Sequence, residues 1–216
     1  MPRCLIVVLL VGLNPGLERV AAQEAKPAGG PEGALAAYKA AIESGDIKAV
    51  AELTAGPSGD ALRKLAGPLT RAKAASDKLD KVLRDRPEIG YKNSFAPGLS
   101  PFADMQYEVI EVEKEGDKVV ARIKYGPRGK AQEETVQVQT EAGKWRVDAP
   151  AELVKHLRKL SAPGQLERHA QGLDRLADLL DTLATEIENG TLKTKEQVLL
   201  RTLDLFAKNK LAELLK

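Results

Sequence analysis

Residues 105–125, MQYEVIEVEKEGDKVVARIKY, decide the fold. Apolar and polar side chains alternate over 105–113 and again over 118–125, the pattern of strands that bury one face. Glu134 to Thr140 and Lys144 to Asp148 keep the same period. With turns at Glu115-Gly116 and Ala142-Gly143, residues 103–150 read as two antiparallel hairpins. Register then assigns the faces, because a slip of one residue moves every side chain to the other side of the sheet. The first hairpin sets Val112 opposite Val119, Ile110 opposite Ala121, Glu108 opposite Ile123 and Gln106 opposite Tyr125. The second sets Thr140 opposite Trp145, Val138 opposite Val147 and Val136 opposite Ala149. One face is apolar over most of its area, with Glu108 the exception. The other carries Tyr107, Val109, Glu111, Arg122, Lys124, Gln137, Gln139, Lys144 and Arg146.

Upstream, the period changes to helical. Ala34 to Ser44 places Leu35, Tyr38 and Ile42 on one face, and Gly45-Asp46 breaks it before a short helix with Ile47, Val50 and Leu53. Thr54 to Gly59 reads as a turn. From Asp60 to Arg84, Leu62, Leu65, Leu69, Leu79, Val82 and Leu83 continue a helical pattern. A restart is expected at Gly67-Pro68, because proline fits the first turn of a helix. Arg86-Pro87 ends the pattern, and Tyr91 to Pro101 reads as a loop.

Two short motifs carry a family resemblance. The helices that include Ala40-Ala41-Ile42-Glu43-Ser44-Gly45-Asp46, and the late antiparallel sheet closing on Gly143-Lys144-Trp145-Arg146-Val147-Asp148, resemble the nuclear-transport-factor-2-like superfamily over about residues 31–150. The resemblance implies an α+β fold in which a curved antiparallel sheet wraps around the N-terminal helices as a cone, with a pocket at its open end. It implies either a noncatalytic binding or assembly module or an isomerase- or dehydratase-type enzyme, since one fold hosts both.

Residues 151–216 read as a helical extension. Ala151 to Leu160 carries Leu153, Leu157 and Leu160, and Gln165 to Glu188 repeats Leu166, Leu173, Leu176, Leu180, Leu183 and Ile187 at close to heptad spacing. Asn189-Gly190 is a stop signal, and Thr194 with Gln197 forms a capping box for a last helix presenting Leu199, Leu203, Phe206 and Leu214. The short connection predicts an antiparallel helical hairpin. Its leucines either pack on each other and on the cone, or use Leu173, Leu180, Ile187, Leu203 and Phe206 to bind a protein partner or a second copy of the chain.

At the N-terminus, Arg3, the apolar run Leu5 to Leu13 and the small residues Val20-Ala21-Ala22 have the order of a secretory signal, residues 1–22. The run is shorter than the roughly 20 residues a membrane helix needs, so a processed, periplasmic or extracellular chain is expected. Residues 23–33, rich in proline and glycine, read as a flexible linker, leaving 34–150 as the α+β domain. Cys4, the only cysteine, lies in the signal, so disulfide and thiolate chemistry are not expected after processing. The 33 basic and 31 acidic residues are intermixed, which argues against nucleic acid and anionic membranes as partners.

No cofactor or metal is expected. His156 and His169 stand on separate helices without a ligand cluster, and no glycine-rich phosphate loop joins a strand to a helix. The carboxylates remain. In the register above, Glu108 stands on the apolar wall, where desolvation raises a carboxyl pKa and suits it to proton transfer. Tyr125 is the matching hydrogen-bond donor, and Tyr38 and Trp145 complete a candidate site for a small apolar or amphipathic ligand. The opposing expectation is that Glu108, near a strand start, reaches water, and that Trp145 anchors the core.

Overall fold

The computed structural model describes residues 29–91, 102, 104–115, 118–160 and 162–211. The expected signal, residues 23–28 of the linker, and residues 92–101 lie outside the described residues. The first helix, α1 (Pro31–Ser44), begins inside the expected linker. Pro31 opens it because the first turn of a helix has no use for the missing N–H. Gly45 ends α1 in the left-handed region, and Asp46 caps α2 (Ile47–Leu53) by accepting the Ala49 N–H at 3.0 Å.

The third helix, α3 (Gly56–Asp85), runs unbroken through Pro68, where the sequence predicts a restart. An interior proline costs a helix about 3 kcal/mol. Packing on both sides of it offsets that cost. Leu62 and Ala66 belong to a first core, and Ala72, Ala75, Leu79, Val82 and Leu83 to a second.

Strands β1 (Met105–Glu115), β2 (Lys118–Pro127), β3 (Gln132–Glu141) and β4 (Lys144–Val147) form a curled antiparallel meander in the order β1-β2-β3-β4. The expected α+β architecture, N-terminal helices on a curved sheet followed by a helical hairpin, is the one observed. The second hairpin has the expected register, with Thr140 opposite Trp145 and Val138 opposite Val147. The first does not. Glu115 pairs with Lys118 and Val112 with Ala121; beyond an irregularity between Val109 and Glu111, Val109 pairs with Ile123 and Tyr107 with Tyr125. Ile110 is the extra residue of this bulge and is 40% exposed.

The bulge reverses the phase of the first half of β1. Tyr107 turns inward and is buried, and Glu108 turns outward and is exposed. The physical reason is the relative cost of the two arrangements. An unbroken strand would bury Gln106 and Glu108, which requires desolvating a carboxylate. The bulged strand buries an aromatic ring instead.

The first core gathers α1, α2, the start of α3, the concave face of the sheet and Leu153 of α4 (Ala151–Arg158). The α2–α3 junction also covers the β4 edge: Thr54 bridges Val147 in parallel, and the Ala55 N–H donates to the Val147 carbonyl at 2.9 Å.

The second core lies between the far half of α3, α5 (Gln165–Glu188) and α6 (Lys195–Lys208). Lys64 pairs with Glu167 at 3.1 Å, Arg71 with Asp174 at 3.4 Å and Lys78 with Asp181 at 3.8 Å. Both helices advance by heptad steps in the same direction, so α3 and α5 run parallel. The heptad spacing of α5 is therefore matched chiefly by α3 rather than by its sequence neighbour α6. A helix as long as α3 spans about 45 Å, so a parallel partner needs a long return path. The sheet and α4 are that path, and α3 belongs to both cores.

The α5–α6 hairpin is antiparallel. Glu186 accepts both Nε and Nη2 of Arg201, at 2.9 Å or less, and the Arg175 guanidinium donates to the Asn209 carbonyl at 3.1 Å. Thr194 and Gln197 form the expected capping box. The face of α6 turned to the core is not the expected one. Val198 and Leu205 are buried, with Leu211 beyond the helix, whereas Leu199, Leu203 and Phe206 face outward. Arg201, on the Val198–Leu205 side, fixes this rotation through its bidentate pair with Glu186. Among the described residues, no helix is long and apolar enough to cross a membrane.

Candidate functional site

Helix α1 carries Tyr38 against the concave face of the sheet, where β1 supplies Tyr107 and β2 supplies Tyr125. The Tyr38 and Tyr107 rings meet edge to face with centroids 5.3 Å apart, and those of Tyr107 and Tyr125 do the same at 6.2 Å. All three are buried. Thr54, also buried, places its hydroxyl 2.6 Å from the Val50 carbonyl oxygen, to which it donates, and 3.4 Å from the Tyr38 hydroxyl. The Tyr107 hydroxyl is buried and has no hydrogen-bond partner among the described residues.

Glu134 of β3 shares the inward parity of Val136 and Val138 and is half-buried. Its Oε2 accepts the Ala151 N–H at 2.7 Å, at the start of α4. Burial raises the pKa of all three tyrosines, and the negative charge of Glu134 adds to the effect. Tyr125 is pushed up to about 12, and Tyr38 and Tyr107 move further in the same direction. These hydroxyls therefore stay protonated at neutral pH and act as donors rather than as bases.

The expected ligand residues are only partly brought together. Tyr38 and Tyr125 flank Tyr107, and Trp145 is half-buried against the same core from β4. Glu108 is not with them. It lies on the solvent face, 3.4 Å from the Gln106 side-chain amide, so the desolvation that would suit it to general-base work is missing. Sequence reasoning missed Tyr107, which the regular register turns outward, and Glu134, whose inward position was legible from its parity with Val136 and Val138.

Open grooves lie outside the concave face, on either side of α4. One, of about 520 Å³, runs between α4 and the ends of β3 and β4, with Glu134 and Asp148 on one wall and Lys155 and Lys159 on the other. Burial raises the Asp148 pKa, with Glu141 adding to the shift and a hydrogen bond from Gln139 opposing it. The other groove, of about 470 Å³, is lined by Pro57, Lys64, Leu157, Leu166 and Glu167, and there Lys64 and Glu167 bridge each other. Among the described residues, no group of three or more His, Cys, Asp or Glu side chains is placed to hold a metal ion.

The expected partner residues divide by burial. Leu180 and Ile187 are fully buried, and Leu173 is half-buried against the second core. Leu203 and Phe206 stand exposed, beside Leu199 and Leu200. Comparison of the chain with protein-family models, curated proteins and solved structures finds no match, so its functional reading rests on its own residues.

Proposed function

We propose that this protein is an exported, noncatalytic assembly module, built on a frame of the nuclear-transport-factor-2-like kind. One observation carries the reading: α6 turns Leu199, Leu200, Leu203 and Phe206 to solvent while its other face is already packed. Exposed apolar residues scattered singly are ordinary, but a contiguous group on one helix marks an interaction surface. The frame is supported by the curled sheet over N-terminal helices, and export by the order of charges and apolar residues in 1–22.

The test is native mass spectrometry of the protein purified gently from its own host, beside Leu203→Asp. An assembly module gives a complex, with itself or with another protein, that the substitution dissolves. A bare monomer in both samples sinks the reading.

A second reading, binding of a small amphipathic ligand, has its own support in the Tyr107 hydroxyl, which lacks a partner among the described residues and lies among three buried tyrosines. It predicts a defined small molecule retained in the same spectra and lost in Tyr107→Phe. The isomerase or dehydratase alternative, which relied on a desolvated Glu108, has no comparable support.

A further inference from the structure

We infer that the outward face of α6 binds a second copy of this chain, helix against antiparallel helix, across a two-fold axis at Leu203. The inference rests on the assembly reading above and deepens it by naming the partner.

The apolar residues are disposed symmetrically about Leu203. Leu200 and Phe206 lie three residues to either side, and Leu199 and Ala207 lie four. Steps of three and four residues return to the same helix face, so the set forms one stripe. Leu200 and Leu203 are 68% and 67% exposed, Leu199 is 45% and Phe206 is 36%. An antiparallel pairing through Leu203 sets Leu200 against the partner's Phe206, and the reverse contact follows by symmetry. Self-complementarity of this kind is what a two-fold interface requires.

Charge selects the direction. Glu196 is exposed in the first turn of α6, Lys208 in its last turn, and Lys210 in the turn that follows the Asn209 cap. Lys208 is occupied by Asp204 at 2.9 Å, which leaves Lys210, just beyond the helix end, to match Glu196 in the first turn of the partner helix. Antiparallel packing brings Glu196 to the partner's Lys210 and opposes the two helix dipoles. Parallel packing sets like charges together and aligns the dipoles.

Area sets the strength. The four exposed side chains together present a patch of roughly 300–600 Å², the size of the largest apolar patch on a typical monomer. Doubled across the axis, this is about 600–1,200 Å², at or below the low end of specific interfaces. An interface of that size makes a weak, transient dimer.

The test is sedimentation velocity over a concentration series on the protein from its own host. Wild type sediments as a monomer when dilute and as a dimer when concentrated. Leu203→Asp weakens association by about 30-fold or more and leaves the thermal midpoint unchanged, because the side chain is exposed. Glu196→Lys alone weakens it by roughly 3- to 10-fold, and Glu196→Lys with Lys210→Glu restores it. A dimer indifferent to Leu203→Asp, or a double reversal that fails to restore it, overturns the inference. So does a wild-type monomer at every concentration. If that monomer co-purifies with a different protein that Leu203→Asp releases, self-pairing fails while the assembly reading stands. If nothing co-purifies, both fail.

Discussion

The two halves of the molecule are built from different materials. The sheet half packs three tyrosines, Trp145 and β-branched residues around α1, whereas the helical half is almost wholly leucine, alanine, valine and isoleucine. The sheet half also closes on itself. Its one large exposed apolar residue among those described is Ile110, at the bulge, whereas the helical half leaves four on α6. The bulge in β1 illustrates the cause. A strand can correct its phase by inserting one residue, which sent Glu108 to water and Tyr107 inside. Helix α6 runs from Lys195 to Lys208 with no such insertion. Once α6 committed Val198 and Leu205 to the core, its other stripe remained outside.

Alkaline titration should act chiefly on the sheet half, which holds three of the four tyrosines. Tyr38, Tyr107 and Tyr125 belong to the sheet half, and burial raises their pKa values; the fourth, Tyr91, packs against the helical core, and burial raises its pKa as well. In the unfolded chain tyrosines ionise near pH 10. The unfolded state thus loses protons first, and stability falls as pH rises from about 10 through the folded value of about 12 for Tyr125. The slope reaches up to about 1.4 kcal/mol per tyrosine per pH unit. Tyrosinate absorbance followed beside circular dichroism should show the three rings ionising together as the sheet unfolds. Independent ionisation near pH 10 with the sheet intact would contradict the burial described above.

Leu183→Ala tests the other half. Leu183 is fully buried in the aliphatic core, and its truncation should cost about 2–5 kcal/mol in chemical denaturation. A loss below about 1 kcal/mol would mean that α3 and α5 collapse around the gap.

Gly59→Ala probes the junction where the α2–α3 turn covers the sheet edge. A Cβ there would lie 2.1 Å from the Thr54 carbonyl oxygen, so backbone must move, and a cost of about 1–3 kcal/mol is expected. Unchanged stability would show that the junction yields freely.

Tyr107→Phe should act in the opposite direction. The hydroxyl is buried without a partner among the described residues, and removing it should stabilise the protein by about 1 kcal/mol. A comparable loss would reveal a partner for that hydroxyl and strengthen the ligand reading. The smallest effect belongs to Leu203→Asp, within about 0.5 kcal/mol by thermal unfolding of the dilute protein. A larger loss would place Leu203 in the fold rather than on a binding face.

Local signals in the sequence determined the elements. Alternation marked all four strands, Gly45-Asp46 separated α1 from α2, and Thr194 with Gln197 started α6, because period, caps and turns depend on residues close together in the chain. The candidate site was only half legible. Tyr38 and Tyr125 were found, but Tyr107 was hidden by a bulge that nothing in β1 announces. Tertiary structure alone decided three things: that β1 changes phase at Ile110, that α3 continues through Pro68 to run parallel with α5, and that α6 turns Val198 and Leu205 inward. None of the three choices is settled by residues close together in the chain. Each was made by contacts from distant parts of the chain: Tyr38 against Tyr107, Lys64, Arg71 and Lys78 along α5, and Glu186 gripping Arg201.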